Sequence, residues 1–536
     1  MKRKRQTLLG IVVATFVVAG VAVAGTSTSL RAATTNDAAS QAAGTVTFRL
    51  LGDWFTLDPF DPRSNSCAGA ACNQVEMAAY DRLLAIDSSK KVIPYLAKSW
   101  VVTPGKVVFT LRTDVVCADG TKLTPQAIAN SVGHFFQQSP YAKSQYGAGP
   151  FHVGLNRNKM TVDVGGVSTD ILLPFTEPQS DIICPAGLAP GADRVHKTYG
   201  SGPYTVSSVT PGSQISFQLR KNWKWGPNGT TAQTPGLPKS LVFTAVTNES
   251  TAANLLKTGG LDISMVNGDA INQVQGQGGL HDYITVAPMG ANLQFNQSAG
   301  KVMADLQVRK AVATAVNSKD YSIASSQGRA KVSTSFMSVD MPCYDPATAK
   351  LIPKTSISAA QTILKNDGYQ LVNGVFQKNG KPLAITVIGS ADLHGAGPDY
   401  VAAQLQQVGF KVTESTGTHD TWSAAWRSGN WDISPFNINN PLLSPAITID
   451  YLAGTSTDAV NFSHVNNAAA NKAIVAARSA ANDTARCKAW STVQHDLLTS
   501  YNLEPLDSPE QVWFAKSNVT FVARTAYIDL TTIREK

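Results

Sequence analysis

Enzyme signatures are what this chain of 536 residues lacks. It contains no G-x-S-x-G, so a nucleophile elbow has no support. It contains no G-x-x-x-x-G-K-[ST] either, and the cluster Gly276, Gly278, Gly279 lacks the helix-opening context of a phosphate loop. Its eight histidines are scattered, with no H-x-x-x-H and no His–carboxylate group at metal-ligand spacing. Asp58 and Asp61 are close in sequence, but each Asp-Pro pair reads as a turn. Charged residues make up only 15% of the chain, and beyond the N-terminus no apolar run is long enough to span a bilayer. The net charge is +8, but the first 24 residues hold four basic groups and no acid, leaving +4 for the rest. That remainder has no Lys/Arg block, which argues against nucleic acid as a partner.

What is present begins at the N-terminus. Lys2-Arg3-Lys4-Arg5 precedes an uncharged apolar run from Leu8 to Ala24, and Ala22-Val23-Ala24 stands before Gly25. This is the pattern of a secretory signal over residues 1–24, with an uncleaved membrane anchor as the alternative. Residues 25–44, rich in Ala, Ser and Thr, read as a flexible tether. An exported chain with six cysteines is expected to pair most of them, and Cys67 and Cys72 bracket a Gly/Ala loop that a bridge would staple.

The length suggests two or three domains, and alternating strand and helix patterns indicate an α/β protein. Val46, Phe48 and Leu50 share one face of a strand, and Ile215, Phe217 and Leu219 one face of another. Thr124-Pro125 reads as an N-cap and first helical residue, opening a helix toward Phe136. Asp119-Gly120 before it is a turn. Val308, Val312 and Val316 form one helical stripe. Val401, Leu405 and Val408 form a second, stopped by Gly409 before a short strand from Phe410 to Thr413. Asn482 and Asp483 cap the second of two helices over about 466–500.

The segment from Pro94 to Ser131 carries P-Y-L-A-K-S-W, F-T-L-R and A-D-G-T-K-L-T-P in that order. It resembles the "P-x-LA-x-SW … F-x-LR … DG-x-x-LT" block of the family 5 extracellular solute-binding proteins, the peptide, dipeptide and nickel receptors of ABC importers. Further matches follow in the family's order: Leu57-Asp58-Pro59, Gly200-Ser201-Gly202-Pro203-Tyr204, Arg220-Lys221-Asn222-Trp223, Gly260-Leu261-Asp262-Ile263 and Val308-Arg309-Lys310-Ala311. Each is weak alone; together they are specific.

The resemblance implies a bilobed, periplasmic-binding-protein-like α/β fold of type II, in the large peptide-receptor class. Lobe one would comprise residues 45–75, 198–288 and 503–536, with residues 76–197 as an inserted subdomain. Lobe two would comprise 289–502, with Asn292 to Asn296 as a hinge strand. Within these lobes the expected disulfides are Cys67–Cys72, Cys117–Cys184 and Cys343–Cys487, out of 15 possible connectivities. The implied function is capture of a peptide or similar polar solute between the lobes and delivery to an ABC permease, outside the cytoplasm. The receptor would be a monomer, held at the membrane by the permease or an N-terminal anchor, with no catalysis and no metal or organic cofactor. A signalling co-receptor of the same fold is the alternative, an exported hydrolase a more distant one. A nickel receptor has only His419 in its favour.

The cleft residues follow from the same resemblance. Trp422 matches a helix tryptophan of the peptide receptors, although Trp422 and Trp426, four apart, also fit the buried face of a helix. Trp431-Asp432 matches a strand entering the cleft, and Phe436-Asn437 replaces the cleft aromatic and its neighbour. Tyr141 resembles a pocket-lining loop tyrosine, or packs locally in a turn. Gln74 lies in the segment before the first helix of lobe one, where relatives contact ligand backbone, or else caps that helix or is exposed. Peptide receptors place an aspartate just past the cleft aromatic, against the peptide α-ammonium; here stand Asn437, Ile438, Asn439 and Asn440. Either Asp432 or Glu76 meets the ammonium, or the ligand has none, since amides do not replace a counter-charge for a buried cation.

Overall fold

The strand Thr45–Leu50 is buried along nearly its whole length because it has neighbours on both sides. It pairs in parallel with Ser240–Ala245 and, through Phe48, with Ile263–Val266. In this computed structural model, residues 44–536 are described except 65–66, 68–69, 104, 140, 143–145, 147–148, 166–170, 287–288, 340, 438–443, 454–460, 481 and 525–526. The expected signal, nearly all of the tether, and Asn439 therefore lie outside the described residues.

Seven strands form the first sheet, in the spatial order Leu280–Val286, Glu510–Lys516, Ile263–Val266, Thr45–Leu50, Ser240–Ala245, Gln214–Leu219, Tyr204–Thr210. Arg49 is buried inside it. Its Nη1 and Nη2 donate to Glu249 over 2.8 and 3.0 Å, and its Nε to the Val246 carbonyl over 2.7 Å. A buried guanidinium is tolerated only with this degree of pairing.

Between Thr45–Leu50 and Tyr204–Thr210 the chain builds a separate antiparallel sheet of four strands, in the order Ala97–Thr103, Lys106–Leu111, Lys159–Asp163, His152–Asn156. The helix Pro125–Gln138 packs beside it, its start fixed by the Thr124 side chain, which accepts from the Ala127 N–H. Phe109 of this sheet and Phe48 and Trp513 of the seven-stranded one belong to a continuous hydrophobic core. The Cys117–Cys184 bridge lies in the same region, and Cys67–Cys72 closes the turn into the helix Ala71–Ala79.

A five-stranded sheet follows, in the order Lys411–Gly417, Ala384–Ser390, Ile433–Phe436, Asn292–Phe295, Leu503–Pro505. The chain passes between the large sheets twice, from Val286 to Asn292 and from Pro505 to Glu510. Alternation gives the five-stranded sheet two unlike faces. Leu293, Phe295, Ile385, Val387 and Ile433 meet the helices Leu306–Ala315 and Gly397–Val408, which carry the two stripes expected from sequence. Gly409, at φ 113°, ends the second helix. The strand after it runs to Gly417, longer than expected, because its pairing with Ala384–Ser390 continues over the full length. The opposite face meets the helices His419–Ser428 and Asp483–Thr499. Asn482 caps the latter by accepting from the Ala485 N–H, and Cys487 within it bridges to Cys343. All three disulfides pair as expected.

Candidate functional site

The register of the five-stranded sheet places Asn292 opposite Phe436 and Gln294 opposite Ser434, so these four side chains share one face. The helix His419–Ser428 lies over that face. Thr418 caps its start, Gly429 in a left-handed conformation (φ 73°) ends it, and Trp422 and Trp426 are one turn apart on its inner side.

Each indole is tied to the sheet. Trp422 Nε1 donates to Ser434 Oγ over 2.9 Å, and Trp426 Nε1 donates to Gln294 Oε1 over 3.0 Å. Ser463 Oγ donates to the same Gln294 oxygen over 2.8 Å, and Gln294 Nε2 donates to the Tyr451 carbonyl over 3.2 Å. Phe436 stacks on Trp426 with ring centres 4.7 Å apart and lies 5.9 Å from Trp422. With both N–H groups committed, these buried indoles offer their neighbours only ring faces and edges, a rigid apolar arrangement.

At the C-terminal end of Ala384–Ser390 the cluster gains polar atoms. The Ser390 backbone N–H donates to His394 Nδ1 over 3.2 Å, and the imidazole stands edge-on to Trp422 at 5.5 Å. His419 lies 5.7 Å from Trp422. The Asn437 amide is a polar neighbour of the His394 ring and favours its protonation, but burial dominates and pushes the imidazole pKa down to about 3. His394 is therefore neutral at any ordinary pH.

The structure thus gathers Trp422, Phe436 and Asn437 in one cluster, all buried, together with Trp426. Trp431 is fully buried, and its Nε1 donates to the Trp426 carbonyl over 2.8 Å. Gln74 and Tyr141 sit on other elements. Gln74 is inside the helix Ala71–Ala79, where its amide both donates to and accepts from the backbone of Ile528. Its position is neither before the helix nor exposed, since the short helix is buried along its length. The Tyr141 hydroxyl donates to the Pro62 carbonyl over 2.8 Å.

The two carboxylates considered as partners for a cationic ligand are already engaged or deeply buried. Asp432 accepts from the Thr386 N–H over 2.8 Å and lies 3.6 Å from Lys301 Nζ. Glu76 is fully buried near Asp181, Asp58 and Asp61, and desolvation holds its pKa well above the usual carboxylate range. Among the described residues no group of three or more His, Cys, Asp or Glu side chains could hold a metal ion.

Ser390, His394 and Gln294 were not singled out from sequence. The only trace of the first two is a serine closing an apolar strand with a histidine four residues on; Gln294 has none.

Two sheets of this topology, joined by two chain passages, make a bilobed periplasmic-binding-protein fold of the peptide- and nickel-receptor class. The chain belongs to the bacterial extracellular solute-binding proteins, family 5, whose "family 5 Middle" model matches residues 91–459. The nickel-binding periplasmic protein of Escherichia coli (strain K12) is 24% identical in a 378-residue alignment that covers 62% of this chain. The match spans 65% of that relative's length. A substrate-binding protein from Microbacterium hydrocarbonoxydans, solved with 4-hydroxybenzoate hydrazide, superposes with a TM-score of 0.75 at 23% identity, covering 92% of this chain and 100% of that one. NikA from Brucella suis, solved with Fe(III)-EDTA, gives 0.78 at 18% identity, again over 92% and 100%. No helix among the described residues is long and apolar enough to cross a membrane.

Proposed function

We propose that this protein is an exported receptor that captures a small polar solute between two hinged lobes and delivers it, unaltered, to an ABC permease. The lobes are those expected from sequence: 45–75, 198–288 and 503–536 with the insert 76–197, and 289–502 opposite. The observation that carries the reading is the Trp422–Trp426–Phe436 cluster, fixed to the five-stranded sheet by hydrogen bonds to both indoles and fringed by Asn437, Ser390 and His394. Such a preorganised wall with few placed polar groups suits ligand capture. The 24% identity to a nickel-binding protein and the hydrazide-bound and iron-chelate-bound neighbours support a small-solute ligand. Closure would be driven by contacts made only in the closed form, since a ligand shifts an equilibrium only by its differential affinity. The N-terminal segment 1–24 directs export, and the receptor acts as a monomer.

Thermal-shift screening of the protein lacking residues 1–24, against peptides, oligosaccharides, amides and metal chelates, tests this. A specific ligand raises the melting temperature by mass action. Trp422→Phe and Phe436→Leu, which retain most of the packing volume, should fold and lose most of that shift. Equal shifts in these variants and the parent would place the ligand elsewhere. Chemical conversion of a bound compound would refute the receptor reading.

A further inference from the structure

Building on the receptor reading, we propose that the cleft takes an uncharged solute, read by His394 and Ser390: the imidazole Nε2–H and the serine hydroxyl together hold a carbonyl oxygen of the ligand beside the Trp422 ring. The ligand class is a neutral carbonyl compound, such as an amide or a blocked peptide.

The tautomer follows from one hydrogen bond. The Ser390 backbone N–H donates to His394 Nδ1 over 3.2 Å, so Nδ1 carries a lone pair and the proton of the neutral ring sits on Nε2. That N–H makes no hydrogen bond of ordinary geometry, although the Asn437 amide lies close enough to favour ring protonation, and the hydroxyl of Ser390 four residues earlier has no partner. Both residues are buried, at 1% and 0% exposure. Buried polar groups in folded proteins are almost always paired, so an unpaired hydroxyl next to an imidazole N–H that Asn437 serves without ordinary hydrogen-bond geometry calls for a group from outside the chain. A carbonyl oxygen, with two lone pairs, accepts from both. The Trp422 ring at 5.5 Å supplies a flat apolar wall for whatever carries that carbonyl.

The surroundings oppose charge of either sign. A carboxylate here would find no cation in His394, because burial and the nearby His419 both disfavour its protonation. An ammonium would find Asp432 already bound to the Thr386 N–H and beside Lys301, and Glu76 buried with its pKa raised well above the carboxylate range. Burying a charge without a partner is strongly unfavourable. The asparagines past the cleft aromatic agree with this.

Matched probe pairs differing in charge test the inference by titration calorimetry on the protein lacking residues 1–24. The pairs are 4-hydroxybenzamide against 4-hydroxybenzoate, and N-acetyl-dialanine amide against dialanine. The uncharged member of at least one pair should bind at least about tenfold more tightly than its charged partner. His394→Leu should lose about tenfold of that affinity, the usual effect of removing one buried hydrogen bond, while His394→Gln, which keeps an N–H donor, retains most of it. A charged member binding as tightly as its neutral partner overturns the inference and leaves the receptor reading intact. So does parental affinity in His394→Leu, which would mark the two groups as a packing defect or a water site. Binding of no compound in either this set or the broader screen counts against both readings.

Discussion

Trp426 and Gln294, 132 residues apart in sequence, are joined by a hydrogen bond of 3.0 Å from the indole Nε1 to the amide Oε1. The bond fixes the helix His419–Ser428 to the strand Asn292–Phe295, the first strand the chain forms after leaving the seven-stranded sheet. The aromatic cluster is thus tied directly to the strand that begins where the chain enters the five-stranded sheet.

Gln294 is the node of that link, accepting from Trp426 and Ser463 and donating to the Tyr451 carbonyl. Gln294→Leu keeps the volume but strands two buried donors and one acceptor. Unpaired buried groups cost about 1–3 kcal/mol each, with partial relaxation, so the variant should lose about 2–4 kcal/mol. Urea unfolding followed by tryptophan fluorescence reads this directly. A loss below about 1 kcal/mol would mean that water replaces the amide and the node is not structural.

The disulfides differ in what they constrain. Cys343–Cys487 closes a loop with a sequence separation of 144, and Cys67–Cys72 one of 5. On the chain-entropy model these correspond to about 5 and about 2 kcal/mol. The double serine variant of Cys343 and Cys487 should therefore lower the calorimetric melting temperature more than that of Cys67 and Cys72. The reverse order would show that the short bridge stabilises the folded state by holding the turn into Ala71–Ala79.

Much of this was legible in the sequence because the signals are local. Thr124-Pro125 and Asn482 announce helix starts through their own side chains, and both caps form. The stripes Val308–Val312 and Val401–Leu405–Val408 are set by helical period, and they pack where period requires. The ordered motifs between Leu57 and Ala311 identified the family without any single motif being decisive. The site was less legible. Trp422 and Trp426 at four-residue spacing fit a buried face and a cleft wall equally, and the structure shows that their N–H groups are spent on the sheet, on Ser434 of the next strand and on Gln294, 132 residues away. Gln74 looked like a cap but is a buried link to Ile528, a contact across 454 residues that no local pattern encodes. His394 was invisible because a lone histidine acquires its character only from burial and from the Ser390 N–H.

His394 makes acid stability a readout of that burial. Its folded pKa, pushed down to about 3, lies below the ordinary value of 6.5, so the unfolded chain binds the proton first as pH falls. The folded state is unaffected above the ordinary value and loses stability progressively from about pH 6.5 toward pH 3. At pH 5 the loss is about 2 kcal/mol. His394→Gln should remove this component, so the difference between parent and variant stability should change by that amount between pH 7.5 and pH 5. A difference independent of pH would show that the imidazole is open to solvent and titrates normally.

Asp507 produces the opposite slope. It sits between the last strand of the five-stranded sheet and Glu510–Lys516, pairs across from Val332, and accepts from the Ser325 hydroxyl over 2.8 Å. Desolvation outweighs that hydrogen bond and pushes its pKa from 3.8 up to about 6. The unfolded chain therefore releases the proton first as pH rises, so the contribution is fully present below about pH 4 and is lost as pH climbs through 6. The interval corresponds to about 3 kcal/mol of destabilisation above pH 7. Asp507→Asn keeps an oxygen for Ser325 and never ionises, so it should match the parent near pH 4 and exceed it by about that amount at pH 8. Glu76, Glu504 and Asp181 are buried carboxyls with raised pKa values as well, and they tilt the parent curve in the same direction. Subtracting the variant's curve from the parent's cancels them and isolates Asp507. A variant less stable than the parent at pH 8 would show that the carboxylate is needed in its charged form at this passage between the lobes.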